Sequence, residues 1–289
     1  MTNVLDELVR LLALERIEEN LFRGQSQNPG WGAVYGGQVL GQALSAAAQT
    51  VPPEREVHSL QAYFLRRGDV SRPVVYEVDR IREGGSFTTR RVVAIQGGHA
   101  IFNLAASFQV VEPGFEHQEG MPDVPPPESL PTDAERLERV AHSLPDALLE
   151  HLRRPRPFES RTTDPDDDPI LPAPRAARRT VWLRTIGMLA DDPSLHRCLL
   201  AYASDNGFIT TALLPHGVNW LTPGMQVASL DHVMWFHQPF RVDDWLLYVM
   251  ESPKAGGARG LVHGRVFTRD GKLVASTSQE GLIRKRPST

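Results

Sequence analysis

The chain has 289 residues, 41% hydrophobic and 23% charged, the make-up of a globular protein with room for one large core or two ordinary ones. Its formal net charge of −4 argues against nucleic acid as a partner, because phosphate binding needs a basic face. The single cysteine, Cys198, excludes an intramolecular disulfide and any cysteine-based zinc site, and its setting in Leu195–Leu200 reads as a buried structural thiol.

Met1 to Ile17 lacks a signal-peptide core, and no apolar stretch approaches the length that crosses a bilayer. The basic tail Arg284-Lys285-Arg286 runs into Pro287-Ser288-Thr289, which is not a peroxisomal Ser-Lys-Leu ending. The expectation is a soluble cytoplasmic protein without stable membrane insertion.

Val4, Leu5, Leu8, Leu11 and Leu12 recur at helical spacing and predict an amphipathic helix over 4–16. A short strand is expected over Asn20–Gln25, followed by a loop through Asn28-Pro29-Gly30. Residues 37–49 predict a second helix, rich in small side chains (Ala43, Ala46, Ala47, Ala48) that let it lie close to a sheet. Four strand-like runs follow, His58–Leu65, Val74–Arg82, Phe87–Gln96 and Ala100–Val110, with Gly84-Gly85 and Gly97-Gly98 at turns.

Residues 113–178 differ in character. Prolines punctuate them, Asp166-Asp167-Asp168 reads as a solvated charge run, and Thr132-Asp133-Ala134-Glu135 resembles a capping box opening a helix towards Leu152. The stretch is read as a connector wrapped over the surface. A strand is then expected over Arg179–Arg184, and Asp192-Pro193 makes a good helix start. That helix runs past Leu199 and Tyr202 and continues or breaks near Asp205. Strands over Val227–Phe236, Trp245–Glu251, Leu261–Thr268 and Leu273–Arg284 complete the chain, with Asp270-Gly271 as a tight hairpin.

Three anchors recur at one offset of 170 positions. Gly37 matches Gly207, Ser59-Leu60 matches Ser229-Leu230, and Gln109 matches Gln279. The copies differ where Tyr35 stands against Asp205, so only the second copy holds a carboxylate, a hydroxyl and an amide together. Each copy is a strand, a helix and an antiparallel meander, an α+β unit of the hotdog kind. The expected domains are 1–112, a connector over 113–178, and 179–289 carrying the polar trio. Two copies side by side can pair edge strands, and the crevice between their helices, apolar and floored by small residues, suits a flexible acyl chain.

Leu21-Phe22-Arg23-Gly24-Gln25-Ser26, Gly36-Gly37-Gln38-Val39-Leu40-Gly41-Gln42-Ala43-Leu44 and His58-Ser59-Leu60-Gln61-Ala62-Tyr63-Phe64-Leu65-Arg66 stand in the first half. Leu230-Asp231-His232, Met234-Trp235-Phe236-His237 and Val274-Ala275-Ser276-Thr277-Ser278-Gln279-Glu280-Gly281 stand in the second. Together these blocks closely resemble the acyl-CoA thioesterase II family of double-hotdog enzymes over nearly the whole chain.

The resemblance implies hydrolysis of medium- to long-chain fatty acyl-CoA to free acid and CoA, with no cofactor or metal, in a homo-oligomer. It assigns the water-activating group to Asp205, Ser229 and Gln279. Two positions depart from the family pattern: Ser229 stands where bacterial members carry threonine, and Arg67 stands where proline is usual. Gly37 or Gly207 is a candidate to admit a backbone N–H to the oxyanion. Arg66 or Arg259 is a candidate for the CoA phosphates. His58 is a further candidate base or binding residue, with a structural role as its alternative, since Ala228 offers no counterpart.

His232 and His237 fit no common zinc spacing. Gly30-x-Gly32-x-x-x-Gly36 misses the dinucleotide pattern, and G-x-S-x-G is absent from the sequence. Two other functions stay open on the same fold. One is a non-catalytic acyl-CoA-binding or sensing protein. The other is an enoyl-CoA hydratase-type enzyme, which needs an Asp–His pair not evident around Asp205.

Overall fold

The computed structural model describes residues 3–30, 32–164 and 173–286. Helix α1, Val4–Leu12, buries Leu5, Leu8 and Leu12 on one face, and the Asn3 side chain caps it by accepting from Leu5 N–H. It ends four residues earlier than its spacing predicts. Beyond Ala13 the chain is drawn into β1, Glu15–Glu18, which pairs antiparallel with β2, Leu21–Gly24.

Helix α2, Gly36–Ala48, is followed by β3, Arg55–Phe64, β4, Val74–Glu83, β5, Phe87–Gln96, and β6, His99–Val110. The connector carries α3, Asp133–Val140, whose capping box joins Thr132 and Glu135, and then α4, Asp146–Leu152. It also contributes a strand that its composition hid: β7, Phe158–Thr162, pairs with β8, Arg178–Thr185. Asp166–Asp168 and Pro287–Thr289 lie outside the described residues.

Helix α5, Pro193–Ser204, starts where Asp192 caps it and stops at Asp205. Gly207, at φ +68°, turns the chain into a 3-10 helix over Ile209–His216, a left-handed step that glycine takes without strain. The second half closes with β9, Met225–Ser229, β10, Asp231–Phe236, β11, Leu246–Gly256, β12, Arg259–Thr268, and β13, Leu273–Lys285. The expected strand over 227–236 is thus two strands, broken at Leu230.

One antiparallel sheet runs through both halves in the order β1-β2-β4-β5-β6-β3-β10-β13-β12-β11-β8-β7, with β9 also beside β13. Read outward from the β3–β10 seam, the order β3, β6, β5, β4, β2 is repeated by β10, β13, β12, β11, β8. Gln61 faces Val233 at the seam. Pairing these strands removes an exposed edge from each half. The partly buried ion pair between Arg197 of α5 and Glu56 of β3 ties the halves together again.

In the first half α2 packs on the sheet, burying Leu40, Ala43, Leu44 and Ala47 with Val92, Leu104 and Phe108. In the second half the 3-10 helix fills that place. Gly260, Gly264 and Gly281 lie so close beneath it that an added Cβ would come to 2.5 Å from Ala212, 2.9 Å from the Phe208 ring and 2.4 Å from Ile209. Helix α5 instead packs antiparallel on α2. A Cβ on Gly37 would meet the Tyr202 carbonyl oxygen at 2.2 Å, and one on Gly41 would meet that of Cys198 at 3.0 Å. The small residues therefore bring the helices into contact here, where the sequence suggested the floor of an acyl crevice. Among the described residues no helix is long and apolar enough to cross a membrane.

Gly37→Ala forces a methyl against backbone, so we expect about 1–3 kcal/mol of destabilisation, read as a lower urea midpoint. Gly85→Ala, with nothing within 4 Å of the added atom, should stay within about 0.5 kcal/mol of the parent. A parental midpoint for Gly37→Ala would show that α2 and α5 do not touch at that position.

Candidate active site

Asp205 owes its position to the end of α5. It is the C-cap residue, at φ −80° and ψ −12°, and the turn at Asn206-Gly207 prevents the helix from continuing. Ser229 ends β9 and Gln279 lies on the inward face of β13, fully buried. The fold brings these three sequence-predicted residues together. Ser229 Oγ donates to Asp205 Oδ1 at 3.0 Å, and Gln279 Nε2 donates to the same oxygen at 2.9 Å.

The second carboxylate oxygen is placed differently. Among the described residues no donor bonds Oδ2, which lies over the start of α2, where a Cβ on Gly36 would come within 2.6 Å of it. The Phe64 ring also borders this position, 3.0 Å from that same added atom. The first helical bonds of α2 run from the N–H groups of Gln38 and Val39 to Tyr35, so the amides of Gly36 and Gly37 have no partner inside the helix. The positive end of the helix dipole favours the carboxylate beside it. Gln279 Oε1 is buried without a hydrogen-bond partner.

An aromatic and polar shell surrounds this group. Tyr35, the counterpart of Asp205 in the first copy, donates its hydroxyl to the Tyr202 carbonyl at 3.1 Å and packs edge-on against the Tyr202 ring. Burial, followed by the negative charge of Asp205, raises its pKa far above the ordinary tyrosine range. Tyr248 bonds the Ser204 carbonyl and Thr277 Oγ1, and burial holds its proton on as well.

His232 is fully buried with Nε2 3.0 Å from Ser204 Oγ, its ring tilted against Phe208 and its Nδ1 without a partner. Burial lowers its pKa, and the nearby charge of Asp205 opposes that shift. The sequence reading found no histidine near Asp205. The signal was present in strand alternation: His232 shares the inward face of β10 with Met234 and Phe236.

The other candidates sit elsewhere or are already engaged. His58 Nε2 is 2.8 Å from Ser107 Oγ, its ring stands edge-on to Phe87, and burial lowers its pKa, so its partners all lie in the first half. Arg66 donates to the Ala100 carbonyl at 2.7 Å, and Arg259 pairs with Glu280 at 2.9 Å. Gly37 borders the site through α2. Gly207 supplies the turn after Asp205, with Arg179 Nη1 beside it. Cys198 is buried, which pushes its thiol pKa up to about 12. Among the described residues no group of three or more His, Cys, Asp or Glu is arranged to hold a metal ion.

Comparison with known proteins agrees across the whole chain. The family model for the acyl-CoA thioesterase N-terminal domain matches residues 25–109, and that for acyl-CoA thioesterase matches residues 171–282. Acyl-CoA thioesterase 2 of Haemophilus influenzae is 46% identical over 287 residues, covering 98% of this chain and 99% of that protein. The crystal structure of an acyl-CoA thioesterase II, TesB2, from Mycobacterium marinum superposes with a TM-score of 0.78 at 41% identity, over 97% of this chain and 99% of that one. A hot dog fold protein of Alicyclobacillus acidocaldarius, 21% identical, matches with a TM-score of 0.76 over 99% of this chain and 100% of its own, which supports the double-hotdog α+β fold. The chain belongs to the acyl-CoA thioesterase family.

Proposed function

We propose that this enzyme hydrolyses medium- to long-chain fatty acyl-CoA to free acid and CoA by direct attack of a water held by Asp205, Ser229 and Gln279. One observation carries the reading: both side-chain donors converge on Asp205 Oδ1, while no donor among the described residues bonds Oδ2, which lies at the start of α2 within 2.6 Å of where a Gly36 Cβ would stand.

In this mechanism Ser229 and Gln279 hold the carboxylate in one orientation. A water between Oδ2 and Gln279 Oε1 gives its proton to Oδ2 as its oxygen bonds the thioester carbon. The carbonyl π electrons move to oxygen, where the Gly36 and Gly37 N–H groups, aided by the helix dipole, stabilise the negative charge. Collapse of the tetrahedral intermediate expels the CoA thiolate, which takes the proton back from Asp205. The site then spans the proposed division into 1–112, 113–178 and 179–289, since the second hotdog supplies the acid, hydroxyl and amide and the first supplies the oxyanion donors.

The hydratase reading gains a histidine near Asp205 but not the required geometry. His232 bonds Ser204, and burial weakens its hold on a proton. A non-catalytic binder would have no need of two donors fixing one carboxylate oxygen.

Thiol release from acyl-CoAs of increasing length tests the proposal. Asp205→Asn should lower kcat by about 10²–10⁴-fold with circular dichroism unchanged. Ser229→Ala and Gln279→Ala each remove a hydrogen bond to a charged group and should cost roughly ten- to hundredfold, whereas Ser229→Thr should stay near the parent. Parental turnover in Asp205→Asn would move the base elsewhere. A parent inert on every chain length would favour the binder.

His232 gives a pH-dependent test of the surrounding fold. Its pKa is lowered in the folded chain, so between that value and the ordinary 6.5 or so the unfolded chain binds the proton more tightly. Its effect on stability is therefore absent above that range, grows as pH falls through it, and is constant below it. Several half-buried histidines shift the same way, so the informative quantity is the difference between variant and parent. His232→Asn should lose about 1–2 kcal/mol less than the parent between pH 7 and 5, read from urea midpoints. Equal losses would mean that His232 is not held neutral by burial.

A further inference from the structure

Acyl-CoA is a polyanion at the end remote from its thioester, and this chain carries a net charge of −4, so binding requires cations concentrated near the site. Of the two arginines suggested by the sequence, Arg259 is paired with the Glu280 carboxylate, and Arg66 is engaged by one bond to the Ala100 carbonyl.

The connector offers a better pair. Between α4 and β7 the chain reads Arg153-Arg154-Pro155-Arg156-Pro157. Arg153 is tied to Glu138, but Arg154 and Arg156 are exposed and neither guanidinium has an ion-pair or hydrogen-bond partner among the described residues. The flanking prolines fix φ and hold the residues before them extended, so both cations are presented on a stiff span.

That span is anchored at both ends beside the candidate active site. At one end the His151 ring lies against Gly30, in the loop that leads into α2, close enough that an added Cβ there would come within 2.2 Å of it. At the other end Phe158 stacks on Tyr202 with ring centroids 6.2 Å apart. Tyr202 accepts from Tyr35, whose hydroxyl in turn feels the charge of Asp205. Arg156 acts electrostatically on the Tyr202 hydroxyl, and both Arg154 and Arg156 act on His151. On the opposite flank of the same loop, Arg67 Nη2 donates to the Gly32 carbonyl at 3.0 Å.

We propose that Arg154 and Arg156, on the proline-stiffened span between α4 and β7, bind the phosphates of the CoA half of the substrate. The assignment rests on the thioesterase reading and gives the connector a part in recognition. Phosphate lies at the far end of the pantetheine arm from the scissile bond, so these arginines touch substrate without touching the reacting atoms. They contribute to binding equally in the ground and transition states, which is an effect on KM.

The test compares the full-length parent with Arg154→Gln/Arg156→Gln on an acyl-CoA and on the acyl-pantetheine of the same chain, which lacks the phosphates. For acyl-CoA, KM should rise about tenfold in the variant with kcat within about twofold, and the fall of kcat/KM with added salt should flatten. Acyl-pantetheine kinetics should not change. An unchanged KM for acyl-CoA, or an equal loss on both substrates, would overturn the assignment. Failure of the parent to turn over either substrate would instead overturn the thioesterase reading, so the two failures are distinguishable. With acyl-dephospho-CoA, a persisting difference between parent and variant assigns the pair to the diphosphate, and a vanishing one assigns it to the 3′-phosphate.

Discussion

The close antiparallel approach of α2 and α5 is the constraint on which the site depends. With Gly37 against the Tyr202 carbonyl, the C-terminal end of one helix is pressed to the N-terminal end of the other. Asp205, one residue beyond α5, therefore lands over Gly36, one residue into α2. A side chain at Gly37 would push the helices apart and separate the Asp205 carboxylate from the start of α2. The two glycines in sequence thus have separate work: one lets the helices touch, the other leaves space for the Asp205 Oδ2 atom. The same contact sets unlike ends of two helix dipoles together, and a negative side chain at the junction is favoured by the positive end it faces.

Duplication explains the sheet but not the chemistry. Strand order repeats outward from the β3–β10 seam, and the halves share that seam because each offers the other an unpaired edge. The helical layer does not repeat. In the second half the covering element is a short 3-10 helix, and the longer helix before it packs on the opposite half. That displacement follows from the break at Asp205. A continuous helix would carry residue 205 inside a turn, with its side chain competing with neighbours at helical spacing. The break leaves it at a terminus, beside its counterpart Tyr35, in a shell of tyrosines that keep their protons.

Much of this was legible in the residues. Alternation and paired glycines located β4, β5 and β6 closely, and Asp192-Pro193 marked the start of α5. The trio at Asp205, Ser229 and Gln279 came from one asymmetry between the copies together with the family blocks. What escaped was non-local. Glu15–Glu18 is fully exposed and shows no apolar alternation, so only its pairing with β2 makes it a strand. Strand β7 lies in a proline-rich stretch and is stabilised by β8, with Arg161 and Arg184 meeting the Trp245 ring from outside the core. His232 was weighed only for its spacing to His237, although the pleat puts it on the inward face of β10. The partners of Arg66 and Arg259 were equally hidden, because a sequence does not show which guanidinium is already bonded.

The register of β13 sets how Ser229 meets Asp205. Gly281 faces Ser229 across the β9–β13 ladder, and Gln279 lies two residues away on the same face, so the two donors are diagonal cross-strand neighbours. A slip of one residue between β9 and β13 would turn one donor away from Asp205 and part the pair. Their convergence on Oδ1 is thus set by backbone pairing, with little left for side-chain stiffness to decide. A threonine methyl would restrict the hydroxyl by its rotamer preference. Here the hydroxyl is fixed by the acceptor it shares with Gln279, and the carboxylate is fixed in return. Ser229, Gln279 and Asp205 thus form one hydrogen-bonded unit on a paired ladder. The first copy keeps Ser59 and Gln109 but carries Tyr35 where the second has Asp205, so it lacks that carboxylate acceptor.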